Sequence, residues 1–250
     1  MTKTTQLPIV LLHGFCMDDS IWDEVIEHLD SDDILKIDYT TTMNKEPFLI
    51  ETLAEKIGFY LESEDVSRCI LIGHSMGGYL ALELLAQYPD LVAGLGLINS
   101  HPFTDLEDRV ALRKKSIAHI NKYGCKPYIK QAIPTWVTPD FATNHADKVT
   151  TLVDKAIEKY NSNAVVYALD AMINRLDHSE TLKNAEVPVL FINGEKDETI
   201  PLDFLQKQVH LPKIADIHVL KDVAHIAPIE QPKIVADLVN KFIQMQSLFE

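Results

Sequence analysis

Short apolar runs alternate with helix-length amphipathic segments along most of the chain. Leu7–Leu12 is the first run, and Asp33–Tyr39, Arg68–Ile72, Val92–Asn99, Val187–Asn193 and Ile214–Leu220 follow. Runs this short and this nearly continuous predict strands buried on both faces. Between them, Ile21, Trp22, Val25, Ile26 and Leu29 recur at helical spacing behind Ser20, which is expected to cap that helix. Pro47 fits a first helical turn, with Leu49, Ile50, Leu53, Ile57 and Leu61 behind it. Met76–Tyr88 predicts a helix stopped by Pro89, and Pro201–His210 and Gln231–Phe249 complete the set. Alternation of this kind predicts a mostly parallel α/β sheet of about six strands with helices on both faces.

One stretch breaks the alternation. From about His101 to Asn184 the pattern is helical throughout. Thr104-Asp105-Leu106-Glu107 reads as a capping box, and Gly124 as a helix stop. Val149, Leu152, Val153, Ala156, Ile157 and Tyr160 form one apolar stripe; Val165, Val166, Leu169 and Met172 form another. The expected organisation is a core of residues 1–100 and 185–250 with a helical cap, residues 101–184, inserted between two strands.

Composition narrows the classes. With 250 residues, 46% of them hydrophobic, the chain can bury one large core plus a modest insertion. A balance of 23 basic against 37 acidic residues gives a formal charge of −14. Such a surface disfavours nucleic acid and anionic membranes, and a strongly anionic substrate would need a local basic spot. Cys16, Cys69 and Cys125 are odd in number and widely spaced, which indicates neither a disulfide framework nor a zinc site. Cys69, inside an apolar run, is expected to be buried. Met1–Gln6 lacks the apolar region of a secretion signal and no run approaches a membrane span, so a cytoplasmic protein acting on a small molecule is expected. No metal or organic cofactor is implied.

The chemistry-bearing residues fall where the strands end. Gly73-His74-Ser75-Met76-Gly77-Gly78 follows an apolar strand and opens a helix. A chain turning that sharply carries its serine at the apex, with glycines giving the turn room. A serine hydroxyl needs a base, and His225, in the loop after the last run, lies on the same sheet edge. Of the other histidines, His218 falls within a strand and should point into a face of the sheet. His74 is expected to pack locally, and His101, also after a strand, is kept as a possible pocket residue. A carboxylate should orient the base. Asp197, after Val187–Asn193, is the candidate, with Glu195 as its neighbour in the same turn. The backbone N–H groups of Met76 and of Phe15, in His13-Gly14-Phe15-Cys16, are the candidate donors for an oxyanion.

On His13-Gly14-Phe15, Gly73–Gly78, Gly194–Asp197 and His225, the chain resembles the α/β-hydrolase family, and more narrowly its lidded single-domain esterases and lactonases. The segments Ala171-Met172-Ile173-Asn174-Arg175 and Val187-Pro188-Val189-Leu190 also look like this group. The resemblance implies that the chain begins at the family's third strand and that the helical insertion is a lid over the active site. Asp38-Tyr39-Thr40-Thr41-Thr42-Met43 departs from the glycine-rich stretch frequent there, which bears on one pocket wall. Serine at position 75 argues against relatives that use aspartate for dehalogenation or epoxide opening. Hydrolysis of a small or medium acyl ester through an acyl-enzyme is the simplest expectation. Lactone, thioester and carbon–carbon bond cleavage, cofactor-free haloperoxidase chemistry and a receptor role remain alternatives. Phe103, Trp136, Phe141 and Met172, with Tyr128 and Ile133, are candidates to line the pocket, although the same spacing suits ordinary helix packing.

Overall fold

The computed structural model describes residues 7–246, so Met1–Gln6 and the end of the last predicted helix lie outside the described residues. Six strands form one sheet: β1 (Ile9–Leu12), β2 (Ile34–Ile37), β3 (Cys69–His74), β4 (Val92–Ile98), β5 (Val189–Gly194) and β6 (Ala215–Leu220). Their order is β2-β1-β3-β4-β5-β6, and every pair is parallel. The chain steps from β1 to β2 on one side and then crosses back to β3. The direction of winding therefore reverses between β1 and β3, and a crevice opens there beyond the carboxyl ends of the strands.

Helices α1 (Asp23–Ile26), α2 (Thr40–Met43), α3 (Ile50–Ser63) and α4 (Met76–Gln87) connect the first four strands. Between β4 and β5 lie α5 (Glu107–Tyr123), α6 (Cys125–Ala132), α7 (Pro139–Asn144), α8 (Ala146–Lys159), α9 (Ser162–Asn174) and α10 (Ser179–Lys183). The chain returns through α11 (Leu202–Gln208), α12 (Ala227–Glu230) and α13 (Pro232–Gln246). Among the described residues, no helix is long and apolar enough to cross a membrane.

Side chains alternate across each strand, and both faces of the sheet are covered. On one face Val10, Leu12, Leu71, Leu97 and Phe191 pack with Leu53, Ile57 and Leu80 of α3 and α4. On the other, Ile9, Leu11, Ile70, Ile72 and Ile192 pack with Trp22, Val235 and Phe242. The three cysteines are free and buried.

The structure corrects several local expectations. β6 is an edge strand on which exposed and half-buried residues alternate up to the buried Leu220, so most of it is not covered on both faces. His218 is partly exposed and pairs with Asp216, two residues away on the same face, at 2.9 Å. Asp18, not Ser20, caps the turn Asp19–Trp22 by accepting from the Ser20 N–H. α3 begins at Ile50, three residues after Pro47, because the Thr52 hydroxyl bonds back to Leu49 and fixes the start there. The Thr104–Glu107 capping box does not form. Asp105 is drawn instead into a buried pairing with Arg113 and Arg175, and α5 starts at Glu107. Gly124 does end α5, with φ +81°.

The first turn of α4 packs tightly against the end of β1. A methyl group on Gly77 would lie 2.3 Å from the Leu12 carbonyl oxygen and 2.6 Å from that of His13. Both neighbours are backbone and cannot swing aside. Gly77→Ala is therefore expected to destabilise the protein by about 2 kcal/mol or more, the upper part of the range for overpacking. Urea unfolding measures this, and a loss below about 0.5 kcal/mol would mean that β1 and α4 can separate without penalty.

Candidate active site

Four chain segments deliver polar groups to one edge of the sheet. Ser75 stands between β3 and α4 with φ 52° and ψ −116°, a region that L-residues rarely occupy. Its carbonyl accepts from the Gly78 N–H at 2.9 Å and from the Ser100 hydroxyl at 2.8 Å, and its own N–H donates to the Ile98 carbonyl at 3.0 Å. With both backbone groups held, the side chain projects over the crevice.

The Ser75 hydroxyl donates to His225 Nε2 at 2.9 Å. His225 Nδ1–H donates to Asp197 Oδ2 at 2.8 Å. Asp197 is buried and receives three more bonds: Asn99 Nδ2 on Oδ2, and the Thr199 and Ile200 N–H groups on Oδ1, all at 2.8 Å. Burial alone would raise its pKa. The His225 charge and hydrogen bond, with the Ile200 and Asn99 donors, outweigh that and hold the carboxyl below the ordinary range. Glu195, the alternative acid, instead accepts from the Asp222 N–H and pairs with Lys196 at the surface.

His225 is fixed by its surroundings as well as by Asp197. Its N–H donates to the Trp136 carbonyl at 2.9 Å, so the segment between β4 and β5 holds the histidine loop directly. Glu230 is buried and receives the N–H groups of Ala224 and Thr138, at 2.9 and 3.0 Å, linking the same two segments. Beneath the site, His74 Nε2–H donates to the His225 carbonyl at 2.7 Å. Burial, followed by the neighbouring His225, pushes the His74 pKa down to about 3, so this ring stays neutral. Its expected role in local packing thus becomes a specific one, support of the His225 backbone.

The loop after β1 runs beside the serine. A methyl group on Gly14 would lie 2.7 Å from His74 Nδ1 and 3.3 Å from Ser75 Cβ. Phe15 follows at the cavity wall, and Met76 begins α4, where the first N–H groups have no intrahelical partner.

A cavity of about 410 Å³ opens above Ser75 and His225. Trp136 and Met172, two of the four expected pocket residues, line it, together with Tyr128. The other two do not. Phe103 packs on His101 and Phe204, which line the cavity themselves, at centroid distances of 5.8 and 6.2 Å. Phe141 lies elsewhere. Its N–H is taken by the Thr138 cap of α7, and its ring packs on His145 and against the core face that holds Trp22 and Val223. Ile133 is buried among core residues. Sequence reasoning missed Tyr79, Arg109, Arg113, Ile200 and Phe204 as lining residues. Tyr79 was within reach, because it lies four residues beyond Ser75 on the same helix, and so were Thr199 and Ile200, in the turn that carries Asp197.

A serine hydroxyl bonded through an imidazole to a buried carboxylate, at the carboxyl edge of a parallel sheet, defines the class of protein that builds a nucleophile elbow on a doubly covered α/β sheet. The chain belongs to the alpha/beta hydrolase family, whose profile matches residues 9–238. It is similar to the uncharacterized hydrolase YugF of Bacillus subtilis, at 24% identity over 94% of this chain and 89% of that protein. Among solved structures it is similar to a thermophilic esterase from Thermogutta terrifontis, with a TM-score of 0.85, 21% identity, and 96% and 90% of the two chains covered. The enol-lactonase of Burkholderia xenovorans LB400 gives a TM-score of 0.85 at 20% identity, with 97% and 93% covered.

The lowered carboxyl of Asp197 makes stability depend on pH. A carboxyl with a depressed native pKa stabilises the fold fully above its unfolded value, and that contribution is lost as pH falls through the lower native value. The stability gap between the native protein and Asp197→Asn should therefore be widest near neutral pH and should begin to narrow as pH falls below about 4. Urea midpoints at pH 3 to 7 check this, and a gap that stays constant would refute it.

Proposed function

We propose that this chain is a serine hydrolase that cleaves a carboxylic ester of small or medium acyl size through an acyl-enzyme. The observation that carries the proposal is the series Ser75–His225–Asp197, bonded at 2.9 and 2.8 Å and opening onto a cavity of about 410 Å³. His225 takes the Ser75 proton as the hydroxyl attacks the ester carbonyl, then delivers it to the departing alcohol. Asp197 holds the imidazole in the tautomer that can accept at Nε2 and stabilises the imidazolium once formed. The developing oxyanion would be received by the backbone N–H groups of Phe15 and Met76, in the water-poor angle between the β1 loop and α4. Water activated by His225 then cleaves the acyl-enzyme. A cavity near 410 Å³ suits a small or medium acyl group and not a polymer. Residues 101–184 act in this reading as a cap, with Trp136, Tyr128 and Met172 selecting the substrate.

Ser75→Ala should lower kcat for p-nitrophenyl butyrate by about 10⁴–10⁶ and abolish fluorophosphonate labelling. His225→Ala should be comparably severe, and Asp197→Asn somewhat less so. More than a tenth of native activity in Ser75→Ala would sink the assignment. A single slow burst without turnover in the native protein would point to a receptor.

A further inference from the structure

We propose that the substrate carries a carboxylate, and that the cavity wall formed by His101, Arg109 and Arg113 receives it. This rests on the hydrolase reading above and names the substrate class for the same cavity.

His101 is the first observation. Its side chain is buried yet lines the cavity that holds Ser75 and His225. Its Nδ1 accepts the Phe103 N–H at 3.2 Å, so in the neutral ring the proton sits on Nε2. The ring plane is fixed by stacking on Phe204 at 4.3 Å and by an edge contact with Tyr79 at 5.6 Å. What this ring offers a ligand is one oriented N–H donor. Nothing in the ester-cleaving series uses it.

Charge is the second. Arg109 and Arg113 lie one turn apart on α5, and both line the cavity. Arg113 and Arg175 share a single carboxylate, Asp105, at 2.5 and 2.8 Å. The Asp105 and Arg175 side chains are 3% and 2% exposed and that of Arg113 is 14% exposed, so this cluster holds one surplus positive charge largely withdrawn from water. Arg109 donates to the Thr199 carbonyl, a neutral partner that does not offset its charge. Three carboxylates also line the cavity: Asp105, already paired by the two arginines, and Asp108 and Glu198, which are exposed, where water screens them. Consistently, the groups acting on His101 are three arginines against one aspartate, and they add to burial in holding the ring neutral. In a chain of net charge −14, this wall is the local basic spot that an anionic substrate needs.

The test compares monomethyl adipate with dimethyl adipate in a pH-stat, one charged and one neutral at otherwise similar size. The native protein should prefer the charged hemiester by at least about tenfold in kcat/KM. In His101→Phe, which keeps the aromatic stack and removes the donor, that preference should fall at least fivefold, mainly through KM. His101→Gln, which restores an N–H donor, should recover part of it. Equal rates or a preference for the diester in the native protein would overturn the proposal, as would an unchanged preference in His101→Phe. If neither ester is cleaved, p-nitrophenyl butyrate turnover decides the esterase reading, and protection of Ser75 from fluorophosphonate by adipate decides the carboxylate site separately. Protection that weakens in His101→Phe supports the site; absent or undiminished protection refutes it.

Discussion

Everything at the site depends on one strained residue. The backbone of Ser75 occupies a conformation that costs on the order of 1–3 kcal/mol for an L-residue. It is held there because its N–H and carbonyl are bonded to the end of β4 and the start of α4. The bonds close only because the neighbouring positions lack side chains. A methyl group on Gly73 would meet the Gly77 carbonyl oxygen at 2.3 Å, and one on Gly78 would meet the Ser100 hydroxyl at 2.3 Å. The strain is also distributed. Cys16, Ser75, Asn99 and Asp222 all have positive φ, and they follow β1, β3, β4 and β6 on the same edge. Each forces the chain to turn abruptly out of the sheet, and the Asn99 turn brings that side chain's amide to Asp197.

The second dependence runs between segments remote in sequence. The histidine loop is not self-supporting: it hangs on the Trp136 carbonyl, on Glu230 and on the neutral His74 ring. Trp136 therefore acts twice, through its backbone on His225 and through its side chain on the cavity. The helices between β4 and β5 are part of what fixes His225.

Much of this was legible in the sequence, for identifiable reasons. The central strands β1, β3, β4 and β5 read clearly because burial on both faces leaves continuous apolar runs. β6 misled, because Ile217 and Val219 are apolar yet face outward at the sheet edge. That Ser75, Asp197 and His225 meet was legible because each follows a strand, and parallel strands deliver their ends to one edge. The cavity wall was not. Phe141 and Trp136 have the same chemical character five residues apart, and only the fold of α7 back onto α8 separates core from lining. Asp105 was misread for a related reason. Its partners, Arg113 and Arg175, lie 8 and 70 residues away, and a local capping motif is the weaker competitor for a buried carboxylate.

Arg175 also has a bearing on how material enters. It donates to the Phe103 and Met172 carbonyls and pairs with Asp105, and its guanidinium lies 4.2 Å from the centre of the Tyr79 ring on α4. Nearby, the His178 N–H donates to the Pro102 carbonyl, and His178 Nε2–H donates to Glu83 of α4 at 2.7 Å. The two roots of the inserted helices are thus riveted to each other and to the helix that carries the serine. Swinging the insertion open as a rigid door would tear buried charges apart. At the rim, by contrast, Leu106 and Leu112 stand 65% and 52% exposed beside the cavity. The inserted helices are thus anchored at both roots, and the exposed apolar side chains beside the cavity stand at its lip.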